Sequence, residues 1–463
     1  MINLLIKVLP YIFILYFLFR FMKEPIYLLG IPFILFLRNS IFVDQALIFS
    51  IPGSYDPDIR FLGWFLIVWL AISLKSHFMI ESNELDRVNK RGMNYLDYLI
   101  IALIVVTSVG LVLTLKHYHI VEDVYTQFLT LLSLFIGFFL IKDIVRYSKL
   151  NVLSEFLYVI VIINSIASFL YLLHQGLHIN IYGENSEYLS IDFQGGLITR
   201  TFWFMPVLWF FSIAYLLVIK RSKSIFNIFF LSINMLGVII SYNRSSVIIA
   251  FLLFILYYLL TGYKNKNFIN SFKNLALVGI AGVAFFLALS NFLPASTGYL
   301  LDRFKELDEK PATKESNNLV YRFYKTERII NRLDTEKVLL GNGSVTENQT
   351  PYIKIVNAAA ADMGLAEVVY RWGYLGLVLF ALLFISSIIK AFMLFIKNEG
   401  IVSQLALLLL LTIVSQVLES FISFTFMSPN RFAMGLWYFG ILSALIEYNK
   451  AIIKSETKLL NDF

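Results

Sequence analysis

Long apolar runs, separated by short polar connections, recur along the whole chain. Runs such as Leu96–Leu115, Val152–Leu173 and Leu275–Leu293 reach the ~18–20 residues a helix needs to cross a ~30 Å hydrocarbon core. Backbone groups in lipid have to be satisfied within the segment, which selects helices over irregular strands. The pattern predicts spans at 4–21, 26–37, 61–74, 96–115, 124–141, 152–173, 202–219, 225–242, 245–260, 274–293, 366–389, 401–424 and 433–447. The expected fold class is an all-α polytopic membrane protein with about 12–13 transmembrane helices. Segment 26–37 is short for a full crossing, so the side of the N-terminus depends on how it is counted. The run at 4–21 has no small-residue cleavage site after it, which predicts an uncleaved first helix.

One gap breaks the rhythm. Residues 294–365 are polar and hold ten basic and ten acidic side chains. They divide the chain into an N-terminal transmembrane bundle (1–293), a large extracytoplasmic loop (294–365), and C-terminal transmembrane helices with a cytoplasmic tail (366–463).

Composition agrees with this division. Apolar residues make up 59% of the 463 and charged residues 15%, against about 45–50% and about 25% in soluble domains. The absence of cysteine excludes disulfides, thiolate metal sites and thiol nucleophiles. The net charge of +7 follows from topology rather than from nucleic-acid binding. Lys75, Arg87, Lys90 and Arg91 share one connection, and Lys142, Arg146 and Lys149 another. Lys220, Arg221 and Lys223, then Lys264, Lys266 and Lys273, then Lys390 and Lys397, then Lys450, Lys454 and Lys458 follow at every second connection. The positive-inside rule puts these loops and the C-terminus in the cytoplasm, and 116–123, 174–201, the turn at 242–244, the large loop and 425–432 outside.

Charges on the predicted outer face are therefore informative. Arg200 lies in Gly195-Gly-Leu-Ile-Thr-Arg-Thr and Arg244 in Ser241-Tyr-Asn-Arg-Ser-Ser, a turn between two spans. An arginine at the membrane edge is costly without an anion, and its fork matches phosphate oxygens in bidentate geometry. The alternative is an arginine that snorkels to the interface. Within the large loop, Leu319–Leu333 predicts a helix whose Arg322, Lys325, Arg328 and Arg332 form a basic stripe, either a solvated face or an anion-binding one. Leu339-Leu-Gly-Asn-Gly predicts a tight turn. Asp362 is a candidate base or an N-cap of the helix entering the membrane, and Glu367 is placed to pair with Arg371 four residues on.

Asp56-Pro-Asp58 is a divalent-metal candidate or a turn. Glu419 sits inside a span, where an acid is expensive; Arg431 and Ser415 are its candidate partners. His174 and His178 lie on an outward loop. No Ser/His/Asp constellation, metalloprotease helix, phosphate-binding loop or dinucleotide fingerprint occurs, and the cytoplasmic loops are too short for a nucleotide-binding domain.

Across roughly residues 195–395 the chain resembles the O-antigen polymerase / O-antigen ligase superfamily of bacterial envelope glycosyltransferases. The resemblance consists of Arg200 before a mid-chain helix, the Ser241-x-x-Arg244 turn, Arg322 opening a helix in the outward loop, the Leu339–Gly343 stretch, and the Gly373-x-x-Gly376 helix entry. It implies polymerisation of undecaprenyl-diphosphate-linked repeat units into O-antigen, capsule or exopolysaccharide, at the outer face of the bacterial cytoplasmic membrane. Asp362, Arg244 and Arg200 would be catalytic, and Arg322, Arg328, Arg371 and Arg431 would bind substrate. No cofactor or metal is expected. The implied partners are the lipid-linked donor and acceptor, the bilayer, a chain-length regulator and a flippase, with no nucleic acid. In the ligase branch an essential histidine precedes the Gly-x-x-Gly entry; Asn357–Asp362 contains none, which favours polymerase over ligase. A flippase or other transporter is the competing class. Helices nearly free of charge, one long loop and the absence of an inverted repeat weigh against it.

Overall fold

The computed structural model describes residues 2–36, 93–118, 135–173 apart from 136 and 147, 179, 190–193, 198–201, 206–219, 225–301 apart from 242, 293–296 and 299, then 304, 338–341, 364–422 and 436–451. The helices are α1 (Ile2–Phe21), α2 (Gly30–Phe36), α3 (Tyr95–Tyr118), α4 (137–146), α5 (Leu150–Tyr171), α6 (Pro206–Val218), α7 (Ile225–Ile240), α8 (Arg244–Lys264), α9 (Phe268–Phe292), α10 (Gly364–Lys397), α11 (Gly400–Ile422) and α12 (436–451). Among the described residues five helices are long and apolar enough to cross a membrane: Leu150–Tyr171, Arg244–Lys264, Phe268–Phe292, Val368–Lys397 and Gly400–Phe421. The protein is an all-α, multi-pass membrane protein. The predicted span 61–74 lies outside the described residues.

Three elements differ from expectation. Segment 26–37 opens with a 3-10 turn (Pro25–Leu29) that runs into α2, described over Gly30–Phe36. The turn is fully packed: Gly30 lies against the Phe17 ring, and Tyr27 meets Phe156 edge-on at 5.7 Å. Second, α10 continues past the predicted end at 389 to Lys397. Lys390 stands over the Tyr95 ring at 5.7 Å, and Gly400 at φ 60° turns the chain into α11. Third, the connection before α6 contains a short antiparallel hairpin, β1 (Ser190–Phe193) with β2 (Ile198–Thr201). The Gln194-Gly-Gly-Leu197 stretch between the two strands is a hairpin signal in the sequence.

The described helices form two compact units. One holds the start of α1 and the chain from Leu157 to Phe304. Here α5, α6 and α7 share a polar seam. Asn164 of α5 donates to Ser212 Oγ of α6 (2.8 Å) and to Asn234 Oδ1 of α7 (2.9 Å). Asn234 in turn donates to Ser165 Oγ at 2.8 Å, and Trp209 Nε1 to Ser168 Oγ at 2.8 Å. Between helices in lipid, where tails are as apolar as leucine, such bonds and close small-residue packing replace the hydrophobic drive. Gly237 provides the close approach, because a Cβ there would lie 2.8 Å from Trp209 Nε1.

In the same unit α8 and α9 run antiparallel through a turn of three residues. Lys266 adopts φ 51°, Asn267 N–H returns to Gly262 O at 2.9 Å, and Asn267 Oδ1 accepts from Asn270 N–H at 3.2 Å to open α9. The other unit holds the rest of α1, α2 to α4, the start of α5, and α10 to α12, with α10 packed on both α11 and α3.

Candidate functional site

The Ser241–Ser246 turn joins α7 to α8. Ser241 N–H donates to Gly237 O at 3.0 Å and its hydroxyl to Val238 O at 2.7 Å, closing α7. Asn243 is extended and serves as N-cap by position, but its side chain makes no cap bond; Ser245 Oγ donates to Asn243 Oδ1 at 2.6 Å instead. Arg244 is therefore the first helical residue of α8, half-buried, and no acidic residue occupies the first turn. A helix start normally attracts carboxylates, since its exposed N–H groups carry about half a positive charge. This one adds an arginine instead. The turn concentrates positive potential at the end of an apolar helix, which suits an anion and repels a cation.

Arg200 sits in β2, opposite Ile191 in the hairpin register. The hairpin fixes its backbone six residues before α6 begins. Arg200 and Arg244 belong to the same compact unit.

Arg371 belongs to the other unit, on a break in α10. Gly373 takes φ 63°, ψ −165°, a conformation closed to L side chains, and interrupts the helix. The amides freed by the break are satisfied from elsewhere: Tyr374 N–H donates to Val338 O at 2.9 Å and Leu375 N–H to Leu339 O at 3.1 Å. The Leu339-Leu-Gly turn thus docks on the Gly373-x-x-Gly376 entry. A Cβ on Gly341, itself at φ 73°, would lie 2.5 Å from the Arg371 carbonyl, and one on Gly373 would strike the Leu339 carbonyl. Buried Trp372 stacks on Phe380 at 5.2 Å and anchors the helical side of the break. Two glycine motifs some thirty residues apart are one structural feature, with half-buried Arg371 held at its edge.

Asp362, Arg322, Arg328 and Arg431, together with Asp56, Asp58, His174 and His178, lie outside the described residues. Glu419 is buried in α11, but the Ser415 hydroxyl is not turned toward it; that hydroxyl donates to Thr412 O at 2.7 Å. One turn earlier Gln416 is buried, and neither its amide nitrogen nor its oxygen has a hydrogen-bond partner among the described residues.

A second polar centre was not foreseen. Asn94 and Asp97 form a capping box on α3: Asn94 Oδ1 accepts from Leu96 N–H at 3.0 Å, and Asp97 Oδ2 accepts from Asn94 N–H at 2.7 Å. Asp97 also pairs with Lys142 of α4 and accepts from Ser443 Oγ of α12 at 2.9 Å. Lys142 Nζ reaches Glu447 of α12 at 2.6 Å, and Glu447 pairs in addition with Arg146. Asn94 completes the ring by donating to Ser443 Oγ at 2.8 Å. Lys142 and Arg146 meet the two inward acids, Asp97 and Glu447, and the more exposed Asp143 approaches Arg146 at 3.5 Å from within α4. The cluster clamps three helix ends. The available signals were Asn94-x-x-Asp97 as a capping pair and Glu447 as an acid at the end of a span.

No protein-family model matches the chain, and no curated protein matches it significantly.

Proposed function

We propose that this protein polymerises undecaprenyl-diphosphate-linked oligosaccharide repeat units at the outer face of the bacterial cytoplasmic membrane. The observation that carries the reading is the Arg244 turn: an arginine at the first position of a membrane helix, in a helix start without a carboxylate. Such a turn fits the diphosphate of a lipid-borne glycan, which leaves with two phosphates' worth of charge in the transition state. The union of the Leu339-Leu-Gly turn with the Gly373 break supports it further, since two elements of the superfamily resemblance form one unit beside a third arginine.

In this reaction an acceptor hydroxyl of one lipid-linked unit attacks the anomeric carbon of another. The new C–O bond forms as the bond from that carbon to the diphosphate oxygen breaks, and the lipid diphosphate departs with the electron pair. The hydroxyl proton passes to a base, for which Asp362 is the candidate. Arg200, Arg244 and Arg322 stabilise the departing diphosphate; Arg328, Arg371 and Arg431 hold the glycan-lipid substrates. A flippase that delivers units and a regulator of chain length are the partners such a reaction needs.

The test is the surface-glycan length profile of cells lacking the protein, complemented with wild type or with Arg244→Ala at equal membrane levels. The expected result is long polymer with wild type and single repeat units with the variant. Long polymer made by Arg244→Ala refutes the assignment. Loss of surface glycan with polymer retained on carrier lipid identifies a ligase, and untranslocated single units on the cytoplasmic side identify a flippase.

A further inference from the structure

The chain that leaves α1 at Phe21 folds back along it. Gly30 lies against the Phe17 ring, so the 3-10 turn and the start of α2 return beside the last turns of α1. Arg20 closes this end: it donates to Tyr27 Oη at 2.8 Å, and its guanidinium stands 4.6 Å from the centre of the Tyr27 ring.

The folded end is tied to the first turns of α5. Phe156 meets Phe17 at 6.2 Å and Tyr27 edge-on at 5.7 Å, with all three rings buried, and Glu155 pairs with Arg20 at 3.5 Å. An ion pair this exposed adds little energy; what it supplies is a position. Glu155 and Phe156 stand five and six residues into α5, ~8–9 Å past Leu150 at 1.5 Å per residue. Leu150 directly follows Lys149, and Lys142, Arg146 and Lys149 form one of the basic connections that the positive-inside rule places in the cytoplasm. The end of α1 therefore lies beside the cytoplasmic end of α5. From there α2 leads into the bundle. Its Phe33 packs on Trp437 of α12 at 6.2 Å, and Trp437 is ~15 Å along α12 from Glu447 of the ion cluster.

We infer that α1 enters the membrane from outside: its first residues face the side of the large loop, and the connection at Met22–Pro25 is cytoplasmic. The 20 residues of α1 extend ~30 Å, the thickness of the hydrocarbon core, so its two ends lie at opposite faces. Charge agrees with contact. Arg20 and Lys23 flank the end placed in the cytoplasm, whereas the first ten residues hold one basic side chain, Lys7. Starting outside, the predicted count of 13 spans returns the C-terminus to the cytoplasm, and a count of 12 does not. This orientation stands whatever Arg244 binds.

The chain has no cysteine, so a single introduced thiol reports alone. The full-length protein carries it in one of four places: in an uncharged Gly-Ser tag ahead of Met1, at Met22→Cys, at Asn265→Cys in the α8–α9 turn, or at Asn348→Cys in the large loop. Met22 is 75% exposed and Asn265 is exposed, so neither substitution removes a packed side chain. Spheroplasts are treated with a membrane-impermeant maleimide before and after permeabilisation, with a monodisperse elution profile as the folding check. The expected result is labelling of the tag and of Asn348→Cys in intact spheroplasts, and of Met22→Cys and Asn265→Cys only after permeabilisation. A tag thiol protected until permeabilisation overturns the inference, and so does labelling of Met22→Cys in intact spheroplasts. If the two loop controls exchange sides, the cytoplasmic assignment of the basic connections falls and this orientation with it. None of these outcomes bears on Arg244, whose test is the glycan length profile.

Discussion

Replacing Lys142 with methionine tests the buried ion cluster. The substitution keeps the length of the side chain and deletes its charge. Asp97 is left with a side chain 0% exposed, while Glu447, 15% exposed, keeps Arg146. Two neutral donors, Asn94 N–H and Ser443 Oγ, still serve Asp97, so its isolation is partial. Removing one partner of a buried pair costs about 3–5 kcal/mol, and the remaining donors place this case near ~3 kcal/mol. A loss of that size lowers the midpoint of thermal unfolding on the order of 5 °C. The measurement is the fraction of detergent-solubilised, fluorescently tagged protein that stays monodisperse after heating. Asp97→Asn alone removes the other charge while its amide oxygen still accepts from Asn94 N–H. The double variant Asp97→Asn/Lys142→Met then has no uncompensated charge, and the two losses should be non-additive by ~1–3 kcal/mol. A Lys142→Met midpoint within a degree of wild type, or strictly additive losses, would show that the cluster contributes nothing to stability.

At the α10 break, Gly373→Ala places a Cβ at φ 63° against the Leu339 carbonyl, costing at least the ~1–2 kcal/mol of a left-handed L residue; polymer output should fall sharply, and wild-type output would show that the docked turn is dispensable. Asn234→Leu removes the centre of the α5–α6–α7 seam, and with interhelical bonds in membranes averaging ~0.6 kcal/mol each, the same heating assay should show a drop of a few degrees. Addition of EDTA should leave polymerisation in isolated membranes unchanged; strong inhibition would turn attention to Asp56 and Asp58 as a metal site.

Helix existence and type were legible because lipid leaves few choices. Length and apolarity alone locate both ends of α3, α5, α8 and α11 to within four residues, and α9 except that it begins six residues earlier than predicted. Hydropathy ended the predicted span of α10 at 389, whereas the helix itself runs on to Lys397, with the Lys390 ammonium over the Tyr95 ring. The hairpin carrying Arg200 was missed because its strands are four residues each, too short for alternation to stand out from a polar loop. Arg200, Arg244 and Arg371 could be named from their places beside or just within predicted spans, and Arg322 and Arg328 from a basic stripe in the large loop. Which of them come together depends on tertiary placement, which spacing along one chain does not encode.

The two polar centres show where that boundary falls. Asn164, Ser165 and Ser168 recur at one-turn spacing within a run that hydropathy scores as uniformly apolar, so the sequence marks a polar stripe on α5. The stripe says that α5 has partners. It does not say that they are Ser212 and Asn234, because an amide or hydroxyl bonds equally well to any donor or acceptor at the same depth. The charged cluster is the converse case. Lys142 and Arg146 were accounted for by topology alone, as cytoplasmic markers, and that sufficient explanation hid a second role. A basic residue at the end of a span can mark the cytoplasmic side and also neutralise a buried acid. Only the acids distinguish the two, and here they come from α3 and α12, about 45 and 300 residues away in the chain. Arg200 and Arg244 are the opposite case: they lie on the predicted outer face, where the positive-inside rule gives a basic residue no topological role.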